Sequence, residues 1–220
     1  MSAFFECGSF SARDGEGRLL FEDVSLSLDD GQCVAIEGPS GGGKSTLLRH
    51  VTGLAWSPDA VRRLDGEDFQ CSQLPSWRSK VSLVAQDAPM IPGSVRDNLV
   101  FPLTQRAGMG RSFDEDAAAE LLQGVGLGRL SLDREIRTLS GGERHRIALV
   151  RGLLWDPPVL VVDEPLSGLD PEAVSESFDL LLSSARRPGR LVLCVFHDPG
   201  LNGRADRHLR LADGRLEEVR

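Results

Sequence analysis

A glycine-rich segment, "GPSGGGKS" at residues 38–45, constrains this chain more than any other part of its sequence. It follows a short apolar run, "CVAIE" at 33–37, and it precedes a helical pattern that begins at Lys44 and extends to about Leu54. Glycine lets a loop fold with its backbone amides pointing inward, and the start of the following helix adds a partial positive charge. An ordinary glycine-rich turn is the alternative, but a strand, this loop and a helix in that order predict a phosphate-binding loop.

The residues of this loop have separate predicted roles. We expect Lys44 to reach the terminal phosphates of a nucleotide, and the Ser45 hydroxyl to occupy one ligand position of Mg²⁺. The predicted phosphate-binding residues are Gly38, Pro39, Ser40, Gly41, Gly42, Gly43, Lys44, Ser45 and Thr46.

A second apolar run, "VLVVDEP" at 159–165, ends in two acidic residues. Ligands of α/β proteins bind at the carboxyl ends of such buried strands. We therefore predict that Asp163 holds Mg²⁺ through water and that Glu164 orients or deprotonates an attacking water, a role typically worth about 10² to 10⁴ in rate. Taken without the phosphate loop, the same two acids are equally consistent with a solvated strand end.

Two further polar residues follow apolar runs. Gln86 ends "VSLVAQ" and His197 follows "VLCVF", so both are predicted at the same edge of a sheet. Each residue considered alone is more often structural than functional. The thiols Cys7, Cys33, Cys71 and Cys194 have no CxxC spacing, which favours structural cysteines over a metal site.

The segment "TLSGGERHRIAL" at 138–149 places a glycine pair at the start of an amphipathic helix. The simplest interpretation is a capping box, in which Ser140 caps the first free amides and Glu143 reaches back three residues. That interpretation leaves the glycine pair without a reason.

The remaining sequence predicts one α/β domain over residues 1–220. Apolar runs alternate with helical patterns, which indicates a mostly parallel sheet covered on both faces. Two extended stretches at 4–11 and 19–28 predict an antiparallel pair at the start. The segment from about 87 to 150 contains no strong strand pattern and predicts a helical lobe, with the core lobe formed by 1–86 and 151–220. The net charge of −8 argues against a nucleic-acid surface.

In this order the motifs resemble those of the ATP-binding subunit of an ABC transporter, with its P-loop NTPase core. The resemblance rests on the loop at 38–46, Gln86, "LSGGE" at 139–143, "VLVVDEP" at 159–165, "SGLD" at 167–170 and His197, and it covers essentially the whole chain.

The resemblance implies ATP and Mg²⁺ as ligands and gives several residues a role. It implies that Gln86 senses the γ-phosphate and binds Mg²⁺, that Glu164 is the catalytic carboxylate, and that His197 clamps the γ-phosphate. It also implies that Asp170 contacts a second subunit, and that Ser140, Gly141 and Gly142 bind the γ-phosphate held by that subunit. In this interpretation Ser140 donates to the phosphate instead of capping its own helix.

The implied partners are a second ATP-binding subunit, which we expect to be a copy of this chain, and an integral membrane permease, with no nucleic acid. The start "MSAFFECGSF" has no signal-peptide pattern, and no apolar run approaches the roughly 20 residues that span a bilayer. We therefore expect the permease to hold the chain at the cytoplasmic face of the cell membrane.

One position departs from the family pattern. The family usually carries an aromatic residue on the first strand that stacks on adenine, whereas this chain has Ala12 there and contains no Tyr. Loss of the ring would weaken ATP binding about 5- to 150-fold. Phe10, two residues earlier, is a candidate substitute.

The class of transporter is less constrained by the sequence. The stretch "VSLVAQDAPMIPGSVRDNLVFP" resembles subunits assigned to metal (iron) export more than the usual sugar or amino-acid importers. A soluble non-transport ABC ATPase is the main alternative. A P-loop small-molecule kinase would explain Lys44 and Asp163, but it has no use for "LSGGE" or "SGLD".

Overall fold

The computed structural model describes residues 3–87, 89–164, 171–196 and 199–219, without the side chains at positions 171, 172 and 199. Its larger sheet has six strands in the order β10-β9-β3-β8-β7-β6. These strands are β3 (Gln32–Glu37), β6 (Val81–Val84), β7 (Val159–Asp163), β8 (Leu191–Val195), β9 (Arg207–Ala212) and β10 (Arg215–Glu218). All neighbours are parallel except the hairpin of β9 and β10. The predicted α/β fold with a mostly parallel sheet is confirmed.

Alternate residues of the central strands face two separate hydrophobic cores. On β3, Cys33 and Ala35 belong to one core, whereas Val34 and Ile36 belong to the other. Successive side chains of a strand point to opposite faces, so a strand that is apolar at every position must be covered on both sides. The unbroken apolar runs of the sequence follow from this arrangement.

A second, four-stranded sheet lies against one of these cores in the order β2-β1-β4-β5. The predicted antiparallel pair is present as β1 (Phe5–Arg13) and β2 (Leu19–Leu28). The hairpin of β4 (Val61–Leu64) and β5 (Glu67–Asp68) was not predicted. Its turn, Asp65-Gly66, has positive φ at both residues, which is the usual chemistry of a tight hairpin.

The helices lie between the strands. They are α1 (Lys44–Val51), α2 (Leu74–Lys80), α3 (Val95–Thr104), α4 (Glu115–Gly124), α5 (Gly141–Trp155), α6 (Pro171–Ala185) and α7 (Pro199–Asn202). Helix α1 ends at Val51, three residues before the predicted end near Leu54. Helices α3 and α4 pack on α5 and supply much of the core on the opposite side of the large sheet. In the described part of the chain, no helix has the length and apolar character that crossing a bilayer requires.

Trp77 on α2 lies in the core that the two sheets share. The side chain is fully buried, its Nε1 donates to the Val51 carbonyl at 2.9 Å, and its ring packs on Phe5 and Phe69 with centroids 5.7 and 5.3 Å away. The indole therefore fills the core. It also gives a hydrogen-bond donor to the carbonyl of Val51, the last residue of α1.

We expect Trp77→Ala to lower the free energy of unfolding by about 3–5 kcal/mol, because it leaves a cavity and an unpaired carbonyl. Trp56→Ala is the matched control, since this indole is 71 % exposed and its loss should change stability by about 0.5 kcal/mol or less. Urea denaturation of both variants measures the difference. Equal losses would contradict the structural role of Trp77.

Candidate nucleotide-binding site

The phosphate loop leaves the sheet at the end of β3, where its first glycine is required by close packing. Gly38 has φ 157°, and a Cβ added there would lie 2.2 Å from the carbonyl oxygen of Leu211 on β9. Gly43, just before α1, is left-handed with φ 90° and precedes the helix without a side-chain cap. The free amides at the start of α1 therefore face the loop, as an anion site requires.

Lys44 lies inside this loop. The residue is 6 % exposed, and its Nζ donates to the carbonyls of Gly38 and Pro39 at 2.9 and 3.0 Å. An ammonium group has three donors, so one donor remains for a phosphate oxygen. The loop thus fixes the cation where the sequence predicts it.

Asp163 ends β7 beside the phosphate loop. Burial raises the pKa of its carboxyl group, whereas a hydrogen bond with Ser45 lowers it. The Oδ1 atom is buried and has no hydrogen-bond partner among the described residues. A buried carboxylate oxygen without a partner, next to a serine hydroxyl, is the donor set that a hard cation such as Mg²⁺ prefers. Ser45 and Asp163, two of the three predicted metal ligands, therefore lie together and fit the ion.

Glu164 follows with a left-handed backbone, φ 49°, which is uncommon for a residue with a side chain. Its Oε2 accepts a hydrogen bond from Gln86 Nε2 at 3.1 Å. The structure thus brings Gln86, predicted from the end of β6, to the acidic pair at the end of β7. Strained backbone at a carboxylate is a common feature of functional sites.

Two predicted residues cannot be placed. His197 and Asp170 both lie outside the described residues, and their predicted roles remain predictions.

The start of α5 corrects one expectation. Ser140 Oγ accepts from the Glu143 amide at 3.2 Å, and Glu143 Oε2 accepts from the Ser140 amide at 2.7 Å. This reciprocal pair is the capping box, so in the single chain Ser140 does cap its own helix. The backbone bond from Ser140 also lowers the pKa of the Glu143 carboxyl group. A second bond, from the Ser140 side chain to the same carboxylate, lowers that pKa further, so the hydroxyl is engaged at its own helix start.

The expectation that Phe10 replaces the adenine-stacking ring is wrong. Phe10 is fully buried and its ring packs on His50, with centroids 5.5 Å apart. Phe10 and Ala12 share one face of β1, but that face covers a core, and the Phe10 ring lies inside it. Ala12 is half-buried opposite Phe21.

A polar cluster behind the loop was not recognised in the sequence. Glu37, the residue before Gly38, lies 2.5 Å from the Arg210 guanidinium and 3.0 Å from His208 Nε2, both on β9. Burial raises the pKa of the Glu37 carboxyl group, but the hydrogen bond and charge of Arg210 outweigh this effect and lower it overall. The cluster ties the end of β3 to β9. No spacing in the sequence pairs these residues, because they are far apart along the chain.

This arrangement of loop, lysine, serine and acidic strand end defines a nucleotide-binding protein of the phosphate-loop class. Residues 21–167 match the family model described as "ABC transporter", and the chain belongs to that family. It is the ATP-binding and ATP-hydrolysing domain of that family. The predicted family and enzyme class are therefore confirmed, and the kinase alternative is wrong.

Similar proteins agree in fold but differ in cargo. The chain is 35 % identical over 200 residues to a glutamate transport ATP-binding protein of Corynebacterium glutamicum, which covers 89 % of this chain and 82 % of the relative. It is 39 % identical over 204 residues to an Fe(3+) ions import ATP-binding protein of Streptomyces coelicolor. That match covers 92 % of this chain and 58 % of the relative. Other relatives are named for phosphonate import and lipoprotein release.

Among solved structures, the dimeric ATP-binding cassette MJ0796, described in a post-hydrolysis state bound to ADP and Pi, superimposes with a TM-score of 0.84. The identity is 26 %, and the match covers 98 % of this chain and 99 % of that one.

The capping box gives a testable stability effect. Ser140→Ala should lower the free energy of unfolding by about 1 kcal/mol, whereas Ser140→Asp, which keeps a capping oxygen, should leave it nearly unchanged. Denaturation at pH 7 measures both. The Glu143 contribution is present above its ordinary pKa of 4.5 and is lost as the pH falls through the lower pKa of the folded chain. If Ser140→Ala has the same free energy of unfolding as the unmodified chain, the capping role of Ser140 is contradicted.

Proposed function

We propose that two copies of this chain bind two ATP molecules between them and drive a membrane permease. Each ATP lies between the phosphate loop of one copy, residues 38–46, and the start of α5 in the other, at Ser140, Gly141 and Gly142. ATP and Mg²⁺ close this head-to-tail pair, and hydrolysis reopens it. Asp170 contacts the partner subunit in this proposal, and the helical lobe of about 87–150 carries the start of α5 towards it.

The glycine at the start of α5 supports a site for a second molecule. A Cβ added to Gly141 would meet nothing within 4 Å in the described part of the chain, and Gly141 does not have positive φ. Neither packing nor backbone conformation within one chain therefore requires a glycine there. Close approach of a phosphate from another copy supplies a reason, because the helix start presents free amides.

Hydrolysis in this proposal depends on residues that end or follow four strands in the sequence, β3, β6, β7 and β8. Lys44 binds the phosphates, Ser45 and Asp163 hold Mg²⁺ together with Gln86, and bound Mg²⁺ supplies charge stabilisation of the phosphates. Glu164 accepts a proton from, or orients, the attacking water. The hydrogen bond from Gln86 Nε2 to Glu164 Oε2 orients that carboxylate beside a proposed Mg²⁺ ligand. His197 is proposed to contact the γ-phosphate.

The variant Glu164→Gln tests this assignment. It should bind ATP with Mg²⁺ but lose turnover about 10²-fold or more, because the amide cannot accept the proton. The ATP-bound form should then accumulate as a dimer in size-exclusion chromatography, whereas Lys44→Ala, which removes the phosphate contact, should remain monomeric. Normal turnover in Glu164→Gln would remove Glu164 from its role.

Ser140→Asp provides the second arm of the same experiment. It keeps the helix cap but places a negative charge where the phosphate of the other copy is proposed to bind. Combined with Glu164→Gln, it should abolish the ATP-dependent dimer without loss of stability. A dimer that survives would contradict the head-to-tail arrangement.

A groove between α2, β6, α3 and α5 supports docking of a permease. Its volume is about 620 Å³, and its apolar lining includes Leu54, Leu83, Ile91, Phe101, Pro102 and Trp155. Leu54 and Phe101 are 55 % and 38 % exposed, so the groove presents contiguous apolar surface, which is typical of an interaction site. Val84 and Pro89, which lie on either side of Gln86 in the sequence, both line the groove. A segment bound in the groove therefore contacts residues next to the site of hydrolysis.

The charges of the groove indicate what kind of segment fits it. Arg151 donates to the Pro89 carbonyl at 3.1 Å, and Arg78 donates to the Gly53 carbonyl at 3.0 Å. Within the described ranges, no carboxylate lies at ion-pair distance from either guanidinium, and burial lowers the pKa of Arg151. We therefore propose that a short apolar helix of the permease, carrying an acidic residue, binds in this groove. In this proposal the segment 86–106 couples the ATP cycle to the permease.

Phe101→Asp tests this docking. The substitution should abolish capture of a multi-span membrane protein by the tagged chain from gently solubilised native membranes, because it buries a charge in an apolar contact. ATP binding by the purified chain should not change. Leu19→Asp is the matched control, since Leu19 is 40 % exposed but lies on the β1–β2 hairpin outside the groove. Capture of soluble proteins alone by the unmodified chain would favour a non-transport ATPase.

The proposed cargo is a metal ion, iron, moved out of the cell, and the chain is proposed to lie at the cytoplasmic face. The resemblance of the stretch at 81–102 to metal-export subunits supports the proposal. ATP-dependent iron accumulation in inside-out vesicles that contain the captured complex tests it. Accumulation that is equal with Glu164→Gln, or absent with the unmodified chain, would contradict iron export.

A further inference from the structure

His50, in the last turn of α1, is a histidine that the folded chain encloses almost completely. The residue is 7 % exposed. Its ring packs on the Phe10 ring of β1 and the Phe21 ring of β2, with centroids 5.5 and 5.9 Å away. Its Nδ1 lies 2.5 Å from Ser57 Oγ, within hydrogen-bond distance. The imidazole is therefore enclosed by the four-stranded sheet and by the loop that follows α1, residues 52–60.

A buried arginine holds the far end of the 52–60 loop. Arg62 on β4 is 2 % exposed, and its guanidinium donates to the carbonyls of Ser57 and Ala60 at 3.3 and 3.4 Å. Within the described ranges, no carboxylate lies at ion-pair distance from Arg62 or from His50. The positive charge of Arg62 is therefore balanced by backbone carbonyls and not by an acid.

The groups around His50 disfavour its charged form. Burial lowers the pKa of the imidazole, and the charge of Arg62 lowers it further. The titratable groups on the neighbouring elements are thiols. Burial raises the pKa of Cys7 on β1, and Cys71 donates to the Pro58 carbonyl at 3.1 Å. A proton on His50 therefore places a second positive charge near Arg62 without an acid to balance it.

We propose that His50 is an acid-sensitive latch that holds the 52–60 loop against the end of α1. The neutral imidazole stays enclosed between the two rings and Ser57, whereas the charged imidazolium gains hydration only when the loop moves away. The closed loop thus binds fewer protons than the open loop. Closure is favoured above the ordinary histidine pKa of 6.5, and it loses population as the pH falls below that value.

The loop carries apolar surface, so its opening has a consequence for binding. Leu54 is 55 % exposed and lines the groove beside α2, and Trp56 is 71 % exposed. Opening of the loop removes Leu54 from the wall of that groove, and acid should therefore weaken docking there. This consequence rests on the proposed docking of a permease. The latch itself does not, because it requires neither a permease nor a nucleotide.

Hydrogen exchange of the purified full-length chain measures the latch directly. The amides of Leu54 and Ala55 donate to the Arg49 carbonyl at 2.8 and 2.9 Å, so they are protected while the loop is closed. Their protection factors, corrected for the pH dependence of intrinsic exchange, should fall about 3- to 10-fold from about pH 7.5 to about pH 5.5. Equal protection at both pH values would overturn the proposal.

Three variants separate the latch from other effects of acid. His50→Asn keeps a polar atom near the position of Nδ1 but takes up no proton in this range, so its protection factors should be equal at both pH values. His145→Asn, on α5, is the matched control and should keep the fall of the unmodified chain. Ser57→Ala removes the contact from the loop side and should lower protection already at neutral pH. A fall that persists in His50→Asn, or unchanged protection in Ser57→Ala, would overturn the latch.

Discussion

The site depends on how β3 ends. This strand pairs with β8 on one side and β9 on the other, so its last residue is fixed from both directions. Glu37 is bound by two side chains of β9, and the next residue lies so close to the Leu211 carbonyl that only glycine fits. The path of the phosphate loop is therefore set by a strand that comes from the C-terminal part of the chain.

Much of the fold could be predicted because local patterns and long-range constraints agree. The apolar runs of β3, β7 and β8 require cover on both faces, and the carboxyl ends of parallel strands meet at one edge. These two rules were sufficient to predict that Ser45, Gln86, Asp163 and Glu164 lie together. The hairpin β4–β5 was missed although its Asp65-Gly66 turn is a strong local signal, because its strands are short and carry charged residues.

Other features could not be predicted because they depend on contacts between distant parts of the chain. Strand periodicity correctly places Phe10 and Ala12 on one face of β1, but the sequence does not show that this face is covered so closely that the Phe10 ring is fully buried. The cluster of Glu37, His208 and Arg210 joins residues that no motif connects. At Ser140 the local interpretation was correct for the single chain, in which Ser140 and Glu143 form a reciprocal capping box.

The β1–β2 hairpin is paired irregularly, with register shifts at several positions along it. Between the pairs Phe10–Val24 and Ala12–Phe21, β2 has one residue more than β1, and this extra residue lets both Phe21 and Val24 remain in the core. The irregular pairing thus lets the hairpin close over the start of α1, since Phe21 Cδ1 would lie 3.2 Å from a Cβ added to Gly43.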